Sequence, residues 1–124
     1  MSQPALTVTL TRPPPDICLV QLAGEIDLDT APVLGHHLRT HTATRPAYLL
    51  LDLSAVTFCA AAGITVITSA SRDDQGIHGH LRLIVARGNR AIARVLHLTQ
   101  IDTLLQIHPT VHDAIDAIDK ISHS

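Results

Sequence analysis

Residues 49–70, LLLDLSAVTFCAAAGITVITSA, decide the fold of this chain. From Tyr48 to Leu53 nearly every residue is apolar. That pattern suits a central strand covered on both faces, because a strand with one solvated face would alternate. The apolar run ends in Asp52-Leu53-Ser54, and Val56 and Phe58 follow. Ala60, Ala61, Ala62 and Gly63 then lead into a segment with helical spacing, predicted from about Ala61 to Ser71 with Val66, Ile67 and Ala70 on its buried stripe. A strand-to-helix junction exposes backbone N–H groups at the helix start, where a partner, a phosphate or a hydroxyl-bearing side chain can be held. The three alanines offer no hydroxyl, thiol, imidazole or carboxylate. Such a surface suits docking rather than catalysis.

Toward the N-terminus, Leu6-Thr7-Val8-Thr9-Leu10 alternates as a half-exposed strand does, and Pro13-Pro14-Pro15 closes it with a turn. Ile17 to Leu22 predicts a second strand, antiparallel to the first because the connection is short, with Gly24 expected to end it. After Glu25-Ile26-Asp27, Thr30 occupies a capping position for a helix whose first turn tolerates Pro32. Ala31, Leu34 and Leu38 fall on one face of that helix. Toward the C-terminus, Asp73-Asp74-Gln75-Gly76 predicts a turn and Leu81 to Val85 a strand. Arg87-Gly88-Asn89 leads into a helix with Ile92, Val95 and Leu96 inward. Leu104 to Ile107 predicts a last short strand. Pro109-Thr110 starts a terminal helix with Val111, Ala114, Ile115 and Ile118 at helical spacing.

The resulting order, β-β-α-β-α-β-α-β-α, predicts a single α/β domain over residues 1–124. Its sheet is expected to be mostly parallel, with the N-terminal strand as an antiparallel edge. Ligands of such sheets bind beyond the carboxyl ends of the strands. The loops Gly24 to Thr30 and Phe58 to Gly63 both lie at such ends and form the candidate working surface.

Composition narrows the partners. Of 124 residues 46% are hydrophobic, yet the aromatics reduce to Tyr48 and Phe58, so the core is aliphatic and no platform exists for stacking bases. A net charge of −2, with basic residues scattered along the chain, argues against nucleic acid. Nine histidines are many for this length. His36, His37 and His41 share a predicted helix, and His78 and His80 flank a turn. His37 and His41 have the i, i+4 spacing of a chelating pair, but no cysteine or carboxylate stands beside them, so they are read as solvated helix histidines and no metal is expected. Cys18 lies in an apolar run and Cys59 at the junction. Both are expected as reduced thiols of a cytoplasmic protein. Cys59 has no neighbouring histidine or lysine in sequence to activate it and reads as a small hydrophobe. No apolar run approaches the ~20 residues needed to span a bilayer, and no targeting segment opens the chain. Phosphate-cradling GxxxxGK[ST], GxSxG and paired-cysteine motifs are absent, and Thr65 has no base beside it. A protein without enzymatic activity or cofactor is expected.

Three segments carry a resemblance to a known family. Gly24-Glu25-Ile26-Asp27-Leu28-Asp29-Thr30-Ala31-Pro32 is similar to a GELDLxTAP element, and Asp52-Leu53-Ser54-Ala55-Val56-Thr57-Phe58 to a DLSxVxF strand. Val95-Leu96-His97-Leu98-Thr99-Gln100-Ile101-Asp102 is similar to VLxLTGLD, with Gln100 where glycine is usual. In order and over about the whole chain, these resemble the anti-sigma factor antagonist branch of the sulfate transporter and anti-sigma factor antagonist (STAS) domain family.

The resemblance implies a partner: an anti-sigma factor with a histidine-kinase-like ATPase fold, which phosphorylates a serine in Phe-x-Asp-Ser-Ser/Ala-Gly. Laid onto this chain, Cys59 takes the variable place, Ala60 the aspartate, Ala61 the acceptor serine, Ala62 the next small residue and Gly63 the glycine. Acceptor hydroxyl and neighbouring carboxylate are both missing, so the family's phosphorylation switch is not expected at Ala61. The implied partner-binding residues are Asp27, Thr30, Cys59, Ala60, Ala61, Ala62 and Gly63, with Asp27 on the loop facing Ala61.

Asp27 and Asp29, near a helix start, read as dipole and cap partners rather than an acid–base or metal pair. Asp52 is expected to order nearby backbone N–H groups. Ser54, Thr57, Thr65, Thr68 and Ser69 read as capping, solvated or backbone-bonded hydroxyls rather than substitute phosphoacceptors. A second reading is a sensor of a small apolar ligand or lipid at a junction lined by methyl groups. A third is a scaffold subunit of a larger assembly or oligomer.

Overall fold

The computed structural model describes residues 6–73 and 81–122, with the side chains of Asp73 and Ser122 not described. Its elements run β1 (Leu6–Thr11), β2 (Ile17–Ile26), α1 (Ala31–Ala43), β3 (Tyr48–Cys59), α2 (Ala61–Asp73), β4 (Leu81–Ile84), α3 (Arg90–Leu98), α4 (Ile101–Leu104), β5 (Ile107–His108) and α5 (Val111–Ser122). The five strands form one sheet in sequence order, β1-β2-β3-β4-β5. β1 pairs antiparallel with β2, and every other pairing is parallel. This is the expected α/β sheet with its antiparallel N-terminal edge.

Side-chain alternation sorts β2, β3 and β4 into two cores. Cys18, Val20, Leu22, Leu49, Leu51, Leu53 and Leu83 join Leu34 and Leu38 of α1, Ile67 of α2 and Ile92 and Leu96 of α3. Ile17, Leu19, Leu50 and Ile84 pack instead with Ala114 and Ile118 of α5. Both faces of β3 are thus covered, which is why its first half is unbroken in apolar residues.

Four expectations need correction. β2 does not end at Gly24 but continues to Ile26, because Gly24 adopts φ 112° at no steric cost. β3 does not end near Leu53 but runs to Cys59, paired with β2 as far as Ile26↔Cys59. Twice along that ladder β3 holds one residue more than β2, between Gln21↔Asp52 and Ala23↔Ala55 and between Gly24↔Val56 and Glu25↔Phe58. These bulges break the alternation and hid the strand. The last strand is Ile107–His108, while Leu104 belongs to α4, a turn of helix entered through Gln100 at φ 63°. His41 is not solvated: it is only 8% exposed and its Nε2 has no hydrogen-bond partner.

α2 runs two residues past Ser71. Most of the predicted turn at Asp73-Asp74-Gln75-Gly76, together with His78 and His80, lies outside the described residues.

Candidate functional site

The junction between β3 and α2 is fixed by backbone bonds and one close contact. Ala60 N–H donates to Ile26 O at 2.7 Å, tying the end of β3 to the end of β2. Ala60 O in turn accepts from Gly63 N–H at 2.9 Å and Ile64 N–H at 3.2 Å, which starts α2. A Cβ on Gly63 would lie 2.5 Å from Ile26 Cγ2 and 2.9 Å from Cys59 Sγ. Only glycine lets the helix sit this close to the strand ends. Cys59 is buried beneath it, and desolvation pushes its thiol up to about 11. It is protonated at neutral pH and packs as a small hydrophobe. Ala61 is exposed, and Ala60 and Ala62 are half-buried.

The β2–α1 loop is shaped by Asp27. Its Oδ1 accepts from Asp29 N–H at 3.0 Å and Thr30 N–H at 2.9 Å, and also lies 3.0 Å from Thr30 Oγ1. The Thr30 backbone bond first, then the Thr30 hydroxyl, hold the Asp27 carboxyl below the usual carboxylate range. Thr30 Oγ1 accepts from Asp27 N–H at 2.8 Å and lies 2.9 Å from Glu25 O, a second acceptor for its proton. Thr30 stands at the cap position of α1 but makes no side-chain cap bond, because its hydroxyl is spent on the loop. The pair Asp27 and Thr30 therefore locks a loop rather than forming an acid–base couple. Ile26, which closes β2, carries this loop and also accepts the Ala60 bond, so the two candidate loops are joined at one residue.

Sequence reasoning missed the apolar groups around this end of the sheet. Leu28, at the loop's crest, is 76% exposed, and Phe58 is 50% exposed. The signal for Leu28 was its place between two aspartates that bond locally. Phe58 gave no signal, because the bulge opposite Gly24 and Glu25 turns it outward.

Asn89 was also missed. Its Oδ1 caps α3 through Ile92 N–H at 3.2 Å. Its Nδ2 reaches the carbonyls of Val56 at 2.8 Å, Ser54 at 3.2 Å and Leu53 at 3.3 Å. Ser54 Oγ accepts from Ala86 N–H at 3.0 Å. These bonds replace the ladder where β3 outruns β4. Asp52 spans the first bulge, accepting from Ser54 N–H at 2.9 Å and Gln21 Nε2 at 3.1 Å, the ordering role expected of it.

Two histidines are held below the ordinary value of 6.5. For His41 the cause is burial, then the charges of His37, Arg12 and His36. For His108 it is burial, then Arg82, whose Nη1 lies 3.2 Å from His108 Nε2. His37 and His41 stack with ring centroids 5.8 Å apart, and no group of three metal-ligating side chains occurs among the described residues.

Comparison with known proteins agrees with this architecture. The family model described as STAS domain matches residues 9–114, and the chain belongs to that family. It is 32% identical over 103 residues to a protein of Mycobacterium tuberculosis named anti-sigma-F factor antagonist RsfB, covering 82% of this chain and 81% of that one. The crystal structure of an anti-sigma factor antagonist from Mycobacterium paratuberculosis superposes with a TM-score of 0.85 at 28% identity, covering 96% of this chain and 99% of that one. The unphosphorylated form of the anti-sigma factor antagonist SpoIIAA shares the fold, with a TM-score of 0.73 at 14% identity over 92% of this chain and 97% of that one. No described helix is long and apolar enough to cross a membrane.

Proposed function

We propose that this chain is an anti-sigma factor antagonist that captures a kinase-type anti-sigma factor in the cytoplasm and is not gated by phosphorylation at position 61. One observation carries the proposal: an exposed methyl group, Ala61, stands at the first residue of α2, on a junction bonded to the Asp27 loop. A phosphoserine there would add ~1.5–2 negative charges and three acceptor oxygens, and would oppose docking by repulsion and desolvation. Alanine takes on no such charge, so the docking surface stays in one state. The names of the relatives, both antagonists of anti-sigma factors, support the choice of partner.

The test is a direct one. The purified chain is incubated with its anti-sigma kinase and ATP, weighed intact, and titrated calorimetrically against the same partner. Saturable binding that ATP leaves unchanged, with no added mass, is the expected result. Ala61→Ser, alone and with Ala60→Asp, is expected to gain one phosphate and then lose affinity. A stoichiometric phosphate on residues 54–65 of the unaltered chain refutes the ungated reading. Absence of binding refutes the antagonist reading.

A further inference from the structure

Past the carboxyl end of β4 the chain gathers the exposed cations Arg87, Arg90 and Arg94. No aspartate or glutamate occurs between Asp74 and Asp102, while Arg82, Arg87, Arg90 and Arg94 fall in that interval. Arg82 is buried over the Tyr48 ring, 5.4 Å from its centroid. Arg87, Arg90 and Arg94 are exposed, and no acidic side chain pairs with them among the described residues. Asp102, the next acidic residue, lies 2.9 Å from His97 Nδ1 at the far end of α3.

This arrangement works against the helix that carries it. Arg90 is the first residue of α3, and that first turn holds no acidic residue. A cation there opposes the helix dipole. Arg94 stands one turn on, and like charges at i, i+4 repel. Local rules broken without a compensating contact are expected where a sequence serves binding.

Beside Arg90 lies a groove of about 550 Å3 between the start of α3 and the projecting end of β3, with Ala55, Val56 and Ala91 among its walls. Arg87 stands in sequence between the lining residues Ala86 and Gly88, and Arg94 one helical turn beyond Arg90. We propose that this groove, with Arg90 at its rim and the exposed Arg87 and Arg94 near it in sequence, docks an extended acidic segment of a partner protein. Charge complementarity selects the acidic side chains. The methyl-lined wall selects a peptide over a bare phosphate, since a phosphate has no apolar surface to bury there. A nucleic acid fits poorly: three cations in a chain of net charge −2 give little counterion release, and no aromatic side chain lines the groove. The inference stands apart from the proposed function, because it needs neither position 61 nor any particular partner at the junction.

The test is a titration of the isotope-labelled full chain, followed by amide chemical shifts. The probes are a blocked decapeptide of alternating Glu and Val, its Lys–Val counterpart, inorganic phosphate and a ten-residue oligothymidine. The Glu–Val peptide is expected to shift the amides of residues 54–57 and 86–94 saturably, and less at higher salt. The triple variant Arg87→Gln, Arg90→Gln, Arg94→Gln is expected to bind it about tenfold more weakly, three exposed pairs being lost. The same variant is expected to melt no lower than the parent, since it relieves repulsion in α3, which separates lost binding from lost folding. No saturable shift, shifts elsewhere, undiminished binding by a folded variant, or equal occupancy by phosphate, oligothymidine or the Lys–Val peptide overturns the proposal.

Discussion

Replacing Gly63 by alanine tests the geometry of the junction most directly. Alanine gains about 1 kcal/mol over glycine in a helix interior. Against that, its Cβ would stand 2.5 Å from Ile26 Cγ2, where carbon atoms rest at ~3.5–4.0 Å. Something must move by about 1 Å. Ile26 is fully buried and β-branched, so its χ1 is restricted and its Cγ2 yields only at a cost in packing, and Cys59 Sγ blocks the other side at 2.9 Å. Overpacking of this kind costs ~1–3 kcal/mol, and the rigid neighbour puts Gly63→Ala near the upper end. The net loss is about 1–2 kcal/mol, a fall in Tm of roughly 3–10 °C for a domain of this size. Urea unfolding is the assay, with the midpoint lowered and the slope unchanged. The α2 start must tilt away, so the Ala60 amide, bonded to Ile26 O at 2.7 Å, should exchange faster than in the parent. Adding Ile26→Ala removes the clashing methyl, and the double-mutant cycle should show a favourable coupling of about 1 kcal/mol or more. A Gly63→Ala protein as stable as the parent, or a cycle without coupling, would mean that α2 does not sit on Ile26 as described.

Gln100→Gly should stabilise the fold by about 0.5–1 kcal/mol, because Gln100 holds φ 63°, a region costly for L side chains; a lower melting temperature would contradict this. Asn89→Ala should cost about 2–3 kcal/mol by thermal unfolding, since the helix cap and the donor to three β3 carbonyls are lost together. Stability should also fall with acid. His41 and His108 are both depressed below 6.5 in the folded protein, so the unfolded chain binds more protons below that pH. Their contribution is complete above about pH 6.5 and is lost as pH falls through their folded values. His41→Leu should flatten that acid limb and raise stability at pH 5 by about 1 kcal/mol, having removed a buried unpaired nitrogen; an unchanged pH profile would refute the assignment.

Much of the fold was legible because periodicity is a local signal. The helix faces Ala31, Leu34, Leu38 and Ala114, Ile118 are buried where spacing put them. The unbroken run from Leu49 to Leu53 lies between two cores. What failed depended on a partner strand. The end of β3 reads as loop because Val56 and Cys59 are buried while Thr57 and Phe58 between them are exposed, a pattern set by bulges against β2. Leu104 reads as strand because the four residues of α4 are too few for a helical period to show; the glycine usual in the resembled motif where Gln100 stands is the one mark of the left-handed turn before it. Asn89 looks like an ordinary cap, and its second role exists only because β3 projects past β4. At the candidate site, the expectation that the loop of Asp27 and Thr30 and the 60–63 segment lie together at the strand ends matches the Ala60 N–H to Ile26 O bond, while the bonds that lock the Asp27 loop had no mark in the sequence. His41 was misplaced because its polar side chain and its i, i+4 spacing from His37 outweighed its position, three residues past Leu38, on the buried stripe of Ala31, Leu34 and Leu38.

The shape of the junction depends little on what stands at position 61. The Asp27 loop is held by its own carboxylate and by Thr30, the end of β3 by Asn89, and the helix start by Ala60 O and the absent side chain of Gly63. None of these bonds involves the Ala61 side chain. A hydroxyl at 61 can therefore be lost without loosening the surface, because it would point outward from a frame that other residues hold rigid. Under the proposed function, docking and its control would then be physically separable: the frame would decide whether a partner fits, and a charge added at 61 would decide when. Under that proposal, a chain that keeps the frame and carries a methyl group at that point would retain the means of the first and lack the means of the second.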